Sequence, residues 1–129
     1  MLHSNALEGI RISDIWLDEK VSNEYQLQPL AQHWARVSKI TEECGEAIDA
    51  LIRSTGQNPR KPHDVSARHD MLSELADTAL TAILAIQHFT KDTAETDGYI
   101  KASLIKIVGR AIDAGYIPEY PETEKELSR

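Results

Sequence analysis

The chain contains few of the residues that interrupt helices, with only five Pro and six Gly among 129 residues. Aromatic residues are also scarce and make up 5% of the sequence. These proportions favour helices over a β-sandwich or a β-barrel. The length lies within the range of one domain. The composition therefore predicts a single all-α domain over residues 1–129.

Cysteine and long apolar runs are nearly absent. The single Cys44 cannot form an internal disulfide, which favours a reducing compartment. No N-terminal segment joins basic residues to an apolar run, so no signal peptide is visible. No apolar stretch approaches the roughly 20 residues that cross a bilayer. We therefore expect a cytoplasmic protein with no membrane partner.

Basic residues are in the minority, because 14 Lys and Arg face 21 Asp and Glu, for a net charge of −7. A nucleic-acid polymer is therefore not an expected partner, since binding to a phosphate backbone needs a basic surface. An acidic protein that handles phosphates would recruit metal cations to do so.

Apolar periodicity predicts a bundle of three long helices plus a short N-terminal helix. Residues 1–12 show no clear period and are expected to be loosely held, with Ser13 and Asp14 capping a short helix through Leu17. The core spans roughly residues 28–115, and the tail 116–129 is expected to be extended or flexible. The long helices are predicted near 28–55, 67–90 and 93–114.

The second long helix is apolar on nearly every side beyond Asp77, so we expect it to be central and heavily buried. One chain has little left to cover its last apolar face. This pattern predicts assembly into an oligomeric bundle, a dimer at least.

Two acidic pairs stand out on the predicted helices, Glu43 with Glu46 and Glu74 with Asp77. Residues three apart are neighbours on a helix surface, so each pair can direct two carboxylates at one point. Two such helices packed together would bring four negative charges into one cluster, which a cation would relieve. Oxygen ligands suit Mg²⁺ or Mn²⁺.

Simpler interpretations exist for each pair. Glu42, Glu43 and Glu46 can form a solvated helix face, with Lys39 paired to Glu43 at i, i+4. Glu74 or Asp77 can form a salt bridge to Arg68 or to another helix. The presence of both pairs on neighbouring helices favours the metal interpretation.

Other side chains provide no stronger site. No Glu is followed three residues later by a His, as in di-iron bundles, and the histidines are scattered. We expect surface or supporting positions for them, with only His33 and His69 near the proposed site. Cys44 is expected in the core. Trp34 and Tyr99 are able to stack on a base, but each fits an apolar stripe, so core packing is favoured.

Five basic residues are candidates for phosphate contact. Arg60 and Lys61 lie in a loop bounded by prolines, which is either a mobile lid or a solubilising segment. Lys106 and Arg110 share a face of the last helix, which is either a phosphate contact or a solvated face. Lys39 completes the set.

The strings K-I-T-E-E-C-G-E over residues 39–46 and L-S-E-L-A-D over residues 72–77 resemble the MazG-like all-α nucleotide pyrophosphohydrolases. The resemblance covers roughly residues 30–112. It implies a homodimer or homotetramer in which Glu43, Glu46, Glu74 and Asp77 hold Mg²⁺. It also implies cleavage of a nucleoside triphosphate between the α and β phosphates, giving a monophosphate and pyrophosphate.

The resemblance leaves several points open. Glu42 and Glu43 are equal candidates for the general base. The chain lacks the basic pattern ending in Tyr-Pro that family members often carry after the last helix, and it has one copy of the motif. Two alternatives remain: a non-catalytic helical interaction module, and an enzyme for a specialised substrate such as phosphoribosyl-ATP or a deoxynucleotide.

Overall fold

The computed structural model describes residues 1–25 and 29–116, which form four α-helices and no strand. The predicted all-α class is confirmed, and the ends of the three later helices agree with the prediction within about a residue. Residues 117–129 of the predicted tail lie outside the described part of the chain. The helices are α1 (Ser4–Tyr25), α2 (Pro29–Thr55), α3 (Ala67–Thr90) and α4 (Thr93–Asp113).

The N-terminal helix is long, and the prediction of a loose segment followed by a short helix is wrong. α1 begins at Ser4 and runs for 22 residues. Its inner face consists of half-buried Leu7, buried Ile10, buried Asp14 and half-buried Leu17, which recur at helical spacing. The carboxylate of Asp14 lies in the centre of this face and interrupts the apolar pattern of α1. Asp14 is 2% exposed and lies in mid-helix, not at a cap.

α2 and α3 form an antiparallel hairpin that carries most of the packing. Pro29 begins α2, where its missing N–H costs no hydrogen bond. Gly56 ends it with φ 68°, and a Cβ there would approach the His63 ring to 3.1 Å. Ser66 precedes α3 but its side chain caps nothing. Instead the Ser66 hydroxyl donates to the Asp64 carboxylate.

α4 follows α3 after a tight turn. The Asp92 carboxylate caps α4, accepting from the backbone N–H of Ala94 at 2.7 Å and of Glu95 at 3.1 Å. α4 packs against α3 and α1, and within the described residues it makes no packing contact with α2. The buried Thr96 hydroxyl donates to the side chain of Gln87 on α3, which ties the two helices together.

Much of the apolar surface is uncovered in the single chain. α3 contacts all three other helices, as expected of a central helix, yet Leu75, Leu80 and Phe89 on it are exposed. Trp34 is 70% exposed and Tyr99 is 56% exposed, so the expectation of core packing for both is wrong within one chain. An open groove of about 740 Å³ lies between the end of α3 and α4. Apolar patches of this kind mark interaction surfaces.

Within residues 1–25 and 29–116, none of the helices combines the length and the apolar character needed to cross a bilayer.

Candidate functional site

Three of the four predicted metal ligands converge between α2 and α3. Glu43, Glu46 and Glu74 each offer a carboxylate oxygen, and these oxygens lie within 4.8 Å of one another. Glu43 lies on the buried face of α2, Glu46 one turn further along, and Glu74 opposite them on α3. We call these three residues the acidic group.

Asp77, the fourth predicted ligand, lies beside this group and not in it. Its side chain is exposed at the outer edge of α3. Its charge nevertheless reaches Glu74, because Asp77 shares the i, i+3 face with that residue. Partial removal from water, followed by the negative charges of Glu46 and Asp77, raises the pKa of the Glu74 carboxyl above its ordinary value. The site therefore holds negative charge that its own environment does not neutralise.

Lys39 supplies one positive charge at the edge of the site. Its ammonium contacts Glu42 and Glu43, each at 2.9 Å, as the simpler interpretation of this helix face expected. The hydrogen bond to Glu43, and then that to Glu42, raises the pKa of Lys39 above its ordinary value. The Glu43 side chain is 11% exposed and the Glu42 side chain 59%, so only Glu43 faces the helix interface.

One lysine does not balance three carboxylates. Among the residues that the structure describes, no Lys, Arg or His forms an ion pair with Glu46, Glu74 or Asp77. The simpler interpretation expected a salt bridge from Glu74 or Asp77 to Arg68 or to another helix, and the described part of the chain contains neither. A cluster of carboxylate oxygens with residual charge is a donor set suited to a hard divalent cation.

The predicted phosphate contacts lie in two other places. Lys61 pairs with Asp49 of α2, which fixes the loop after α2 against that helix. Arg60 beside it is exposed, and its guanidinium has no ion-pair partner among the described residues. Lys106 and Arg110 are exposed on α4, and the structure does not bring them into contact with the acidic group.

A second polar cluster, which the sequence did not predict, joins α1 to the hairpin. Arg36 of α2 donates to Asp14 at 2.7 Å and to Asp18 at 3.0 Å. Lys91, just after α3, contacts the same two carboxylates at 2.8 Å and 2.6 Å. His88 of α3 contacts Asp18 at 3.0 Å. We call these five residues the α1 network.

The histidines agree only in part with the expected surface or supporting positions. His88 is 5% exposed, so it does not lie at the surface. His33 of α2 contacts His88 across the helix interface, with 2.8 Å between the two ring nitrogens. His33 therefore lies beside the α1 network and not in the acidic group. His69 is exposed near the start of α3.

The α1 network is balanced in charge, because two carboxylates meet two permanent cations. Three of its side chains lie close enough to ligate a metal, but Arg36 and Lys91 already occupy both carboxylates. We therefore assign it a structural role. The spacing of Asp14 and Asp18 at i, i+4, in register with Ile10, is a local sequence signal for an acidic position on this helix face, but it does not identify the partners.

Comparison of the chain with protein-family models, with curated proteins and with solved structures gives no match in any of the three.

Proposed function

We propose that the protein is a Mg²⁺-dependent nucleoside triphosphate pyrophosphohydrolase, with Mn²⁺ as a possible substitute metal. The observation that carries the proposal is the convergence of the acidic group, three carboxylates from two helices with one lysine against them. The resemblance of residues 39–46 and 72–77 to the MazG-like enzymes supplies the reaction.

The residues present suit the implied metal. Glu43, Glu46 and Glu74 would hold it, with Asp77 as the fourth carboxylate by resemblance. Hard oxygen donors are what Mg²⁺ prefers, and the raised pKa of Glu74 reflects a site that gains from a positive charge. A bound Mg²⁺ would neutralise the phosphate charges and supply a more acidic water.

The general base is best assigned to Glu43. Its carboxylate faces the helix interface, whereas that of Glu42 points outward beyond Lys39. Glu43 would accept the proton of the attacking water as the water oxygen bonds to the α phosphorus. The bond from that phosphorus to the bridging oxygen then breaks, and pyrophosphate leaves with the electron pair.

Phosphate contact is assigned first to Arg60, whose guanidinium is exposed in the loop and has no ion-pair partner among the described residues. Lys61 is engaged with Asp49 and would have to exchange partners to reach a phosphate. Contacts by Lys106 and Arg110 stay predictions.

The test is a panel of nucleoside triphosphates with Mg²⁺, including deoxynucleotides and phosphoribosyl-ATP, in which pyrophosphate and orthophosphate are measured separately. Pyrophosphate release that depends on the metal supports the proposal. A single strong preference would identify a specialised enzyme of the same reaction class. Release of orthophosphate alone, or of neither product, would overturn the assignment.

Assembly is part of the proposal. The exposed apolar side chains of α2, α3 and α4 favour a homodimer at least, and a homotetramer is implied by the resemblance. Light scattering at micromolar concentration should give a multiple of the 14.4 kDa chain mass. A mass of one chain would contradict this expectation.

A second candidate is a non-catalytic helical interaction module. The observation in its favour is the same exposed apolar surface, which includes Trp34, Phe89 and Tyr99. An inactive protein on the whole panel, combined with no effect of metal on stability, would favour this alternative.

A further inference from the structure

The Lys39 ammonium is shared between an inner and an outer carboxylate of α2. It contacts Glu43, which belongs to the acidic group, and Glu42, which points outward into solvent. Lys39 itself is about half exposed. An ammonium has three hydrogens to donate, and two of them suffice for these contacts. The positive charge of Lys39 therefore lies at the boundary between the acidic group and the solvent.

Lys39 also lies on the open side of the acidic group. It precedes Glu46 by seven residues, roughly two turns of helix, so the two side chains share one face of α2. Glu46 is exposed on this face, whereas Glu43 and Glu74 lie further inward between α2 and α3. A ligand that reaches the acidic group from solvent therefore approaches over the face that carries Lys39.

The two ion pairs hold Lys39 only weakly. Both join residues of neighbouring turns of α2, at i, i+3 and i, i+4, and both leave the ammonium open to water. Exposed pairs of this kind contribute little to stability, because water screens the charges and two long side chains lose freedom. Lysine also carries its charge on a flexible four-carbon stem. The ammonium can therefore turn to another acceptor nearby without any change in the backbone.

This position distinguishes Lys39 from the other predicted phosphate contacts. Its ammonium already touches a member of the acidic group at 2.9 Å. Lys61 is paired with Asp49 in the loop after α2, and Lys106 and Arg110 lie on α4, away from the acidic group. Among these cations, Lys39 is therefore the one whose charge bears directly on the affinity of the acidic group for another cation.

We propose that Lys39 exchanges partners when substrate binds: it neutralises Glu43 in the metal-free protein, and it donates to a phosphate of the nucleotide once Glu43 holds the metal. This inference rests on the proposed function and deepens it. Lys39 competes with a metal that arrives alone, because both cations draw on the Glu43 carboxylate. When a phosphate arrives as well, it offers the ammonium a new anionic acceptor. Lys39 thus couples the two ligands, and each increases the affinity for the other.

The test is isothermal titration calorimetry of the whole chain, first with Mg²⁺ alone and then with inorganic pyrophosphate at saturating Mg²⁺. In Lys39→Met the affinity for Mg²⁺ should rise by about two- to fivefold, because the competing ammonium is gone. The affinity for pyrophosphate should fall by about tenfold or more, because a hydrogen bond between two charged groups is lost. A damaged fold would weaken both affinities, so changes of opposite sign identify the exchange.

Arg11→Met is the matched control. It also removes a cation from an exposed ion pair at i, i+3, with Glu8 on α1, so both affinities should equal those of the wild type. An unchanged affinity of Lys39→Met for Mg²⁺ would show that Lys39 does not compete with the metal. An unchanged affinity for pyrophosphate would show that it does not contact phosphate. Either result, or a weakening of both affinities, would overturn the exchange.

Neither titration requires turnover, so the exchange and the proposed reaction can fail separately. A wild-type protein that releases no pyrophosphate from any nucleoside triphosphate, while Lys39→Met shows the opposite changes, would lose the reaction and keep the exchange. An active wild-type protein whose Lys39→Met variant lacks those changes would keep the reaction and lose the exchange. A wild-type protein that binds no Mg²⁺ would overturn both.

Discussion

The α1 network and the acidic group both include residues of α2 and α3, yet the carboxylates are paired with cations in the first and left with surplus charge in the second. Arg36 and Glu43 share the buried face of α2 and stand about 10 Å apart along its axis. Around Arg36, every described carboxylate meets a cation. Around Glu43, three carboxylates share one lysine. The same residue types thus form a charge-balanced junction in one place and a site with surplus negative charge in the other.

The largest expected effect separates the two clusters by activity. Glu46→Gln keeps the shape of the acidic group and removes one charge, so pyrophosphate release should fall by about two orders of magnitude or more. Without metal the variant should melt at the wild-type temperature or above it, because repulsion is relieved. Glu42→Gln, outside the group, should keep most of the activity. An equal loss in both variants would move the general base to Glu42, and undiminished turnover in Glu46→Gln would refute the site.

The next effect separates the clusters by stability. Arg36→Met leaves the buried Asp14 carboxylate with Lys91 as its remaining cation, so the free energy of unfolding should fall by at most the about 3–5 kcal/mol that a fully unpaired buried charge costs. Chemical denaturation at one protein concentration measures it. Arg11→Met breaks only the exposed pair with Glu8 and should change little. Restoration of stability in the double variant Asp14→Leu/Arg36→Met would confirm that the loss comes from the buried Asp14 carboxylate without its Arg36 partner. A loss in Arg36→Met no larger than in Arg11→Met would contradict the structural role of this cluster.

A smaller effect concerns metal binding. Mg²⁺ at roughly ten to a hundred times its Kd should raise the free energy of unfolding by about 1.4 to 2.7 kcal/mol. The increase should shrink in Glu43→Gln and persist in Asp18→Asn, since only the acidic group is proposed to bind the ion. Thermal melts with and without metal provide the measurement. Equal responses in the two variants would remove the distinction between the clusters.

The smallest effect concerns the pH dependence of the metal-free protein. Because the pKa of Glu74 is raised above its ordinary 4.5, the folded state binds that proton more tightly than the unfolded chain does. Its ionisation therefore weakens the fold as the pH rises from 4.5 through the folded value. Glu74→Gln should raise the melting temperature near neutral pH and have almost no effect at about pH 4. A variant that is less stable at neutral pH would show that Glu74 has a stabilising partner.

Local sequence signals predicted those features that depend on residues within one helix. Pro29, Gly56 and the spacing of the acidic pairs are readable within a few residues of the chain, and they predicted the boundaries of α2 and the proximity of the three carboxylates of the acidic group. Asp77 lies beside the acidic group and not in it, because a shift of one position around α3 decides between the interface and solvent. Such rotations depend on how two helices dock.

Long-range partners explain the remaining errors. Asp14 looks like a cap until Arg36 and Lys91 are placed beside it, and those contacts span 22 and 77 residues of sequence. Trp34 and Tyr99 fit apolar stripes, but periodicity does not say whether this chain or another covers the stripe. Pairing between distant segments therefore set the limit of the sequence analysis.

Lys91 shows how a local flaw can be a poor target for engineering. It is the only described non-glycine residue with positive φ, at 55°, where glycine would relieve backbone strain. A designer who scores helix ends alone would replace it with glycine and expect a gain of stability. Here the unfavourable conformation aims the ammonium at both carboxylates of α1. Lys91→Gly would relieve the backbone strain but would remove the ion pairs with Asp14 and Asp18. Optimising this residue in isolation would therefore loosen the junction of three helices.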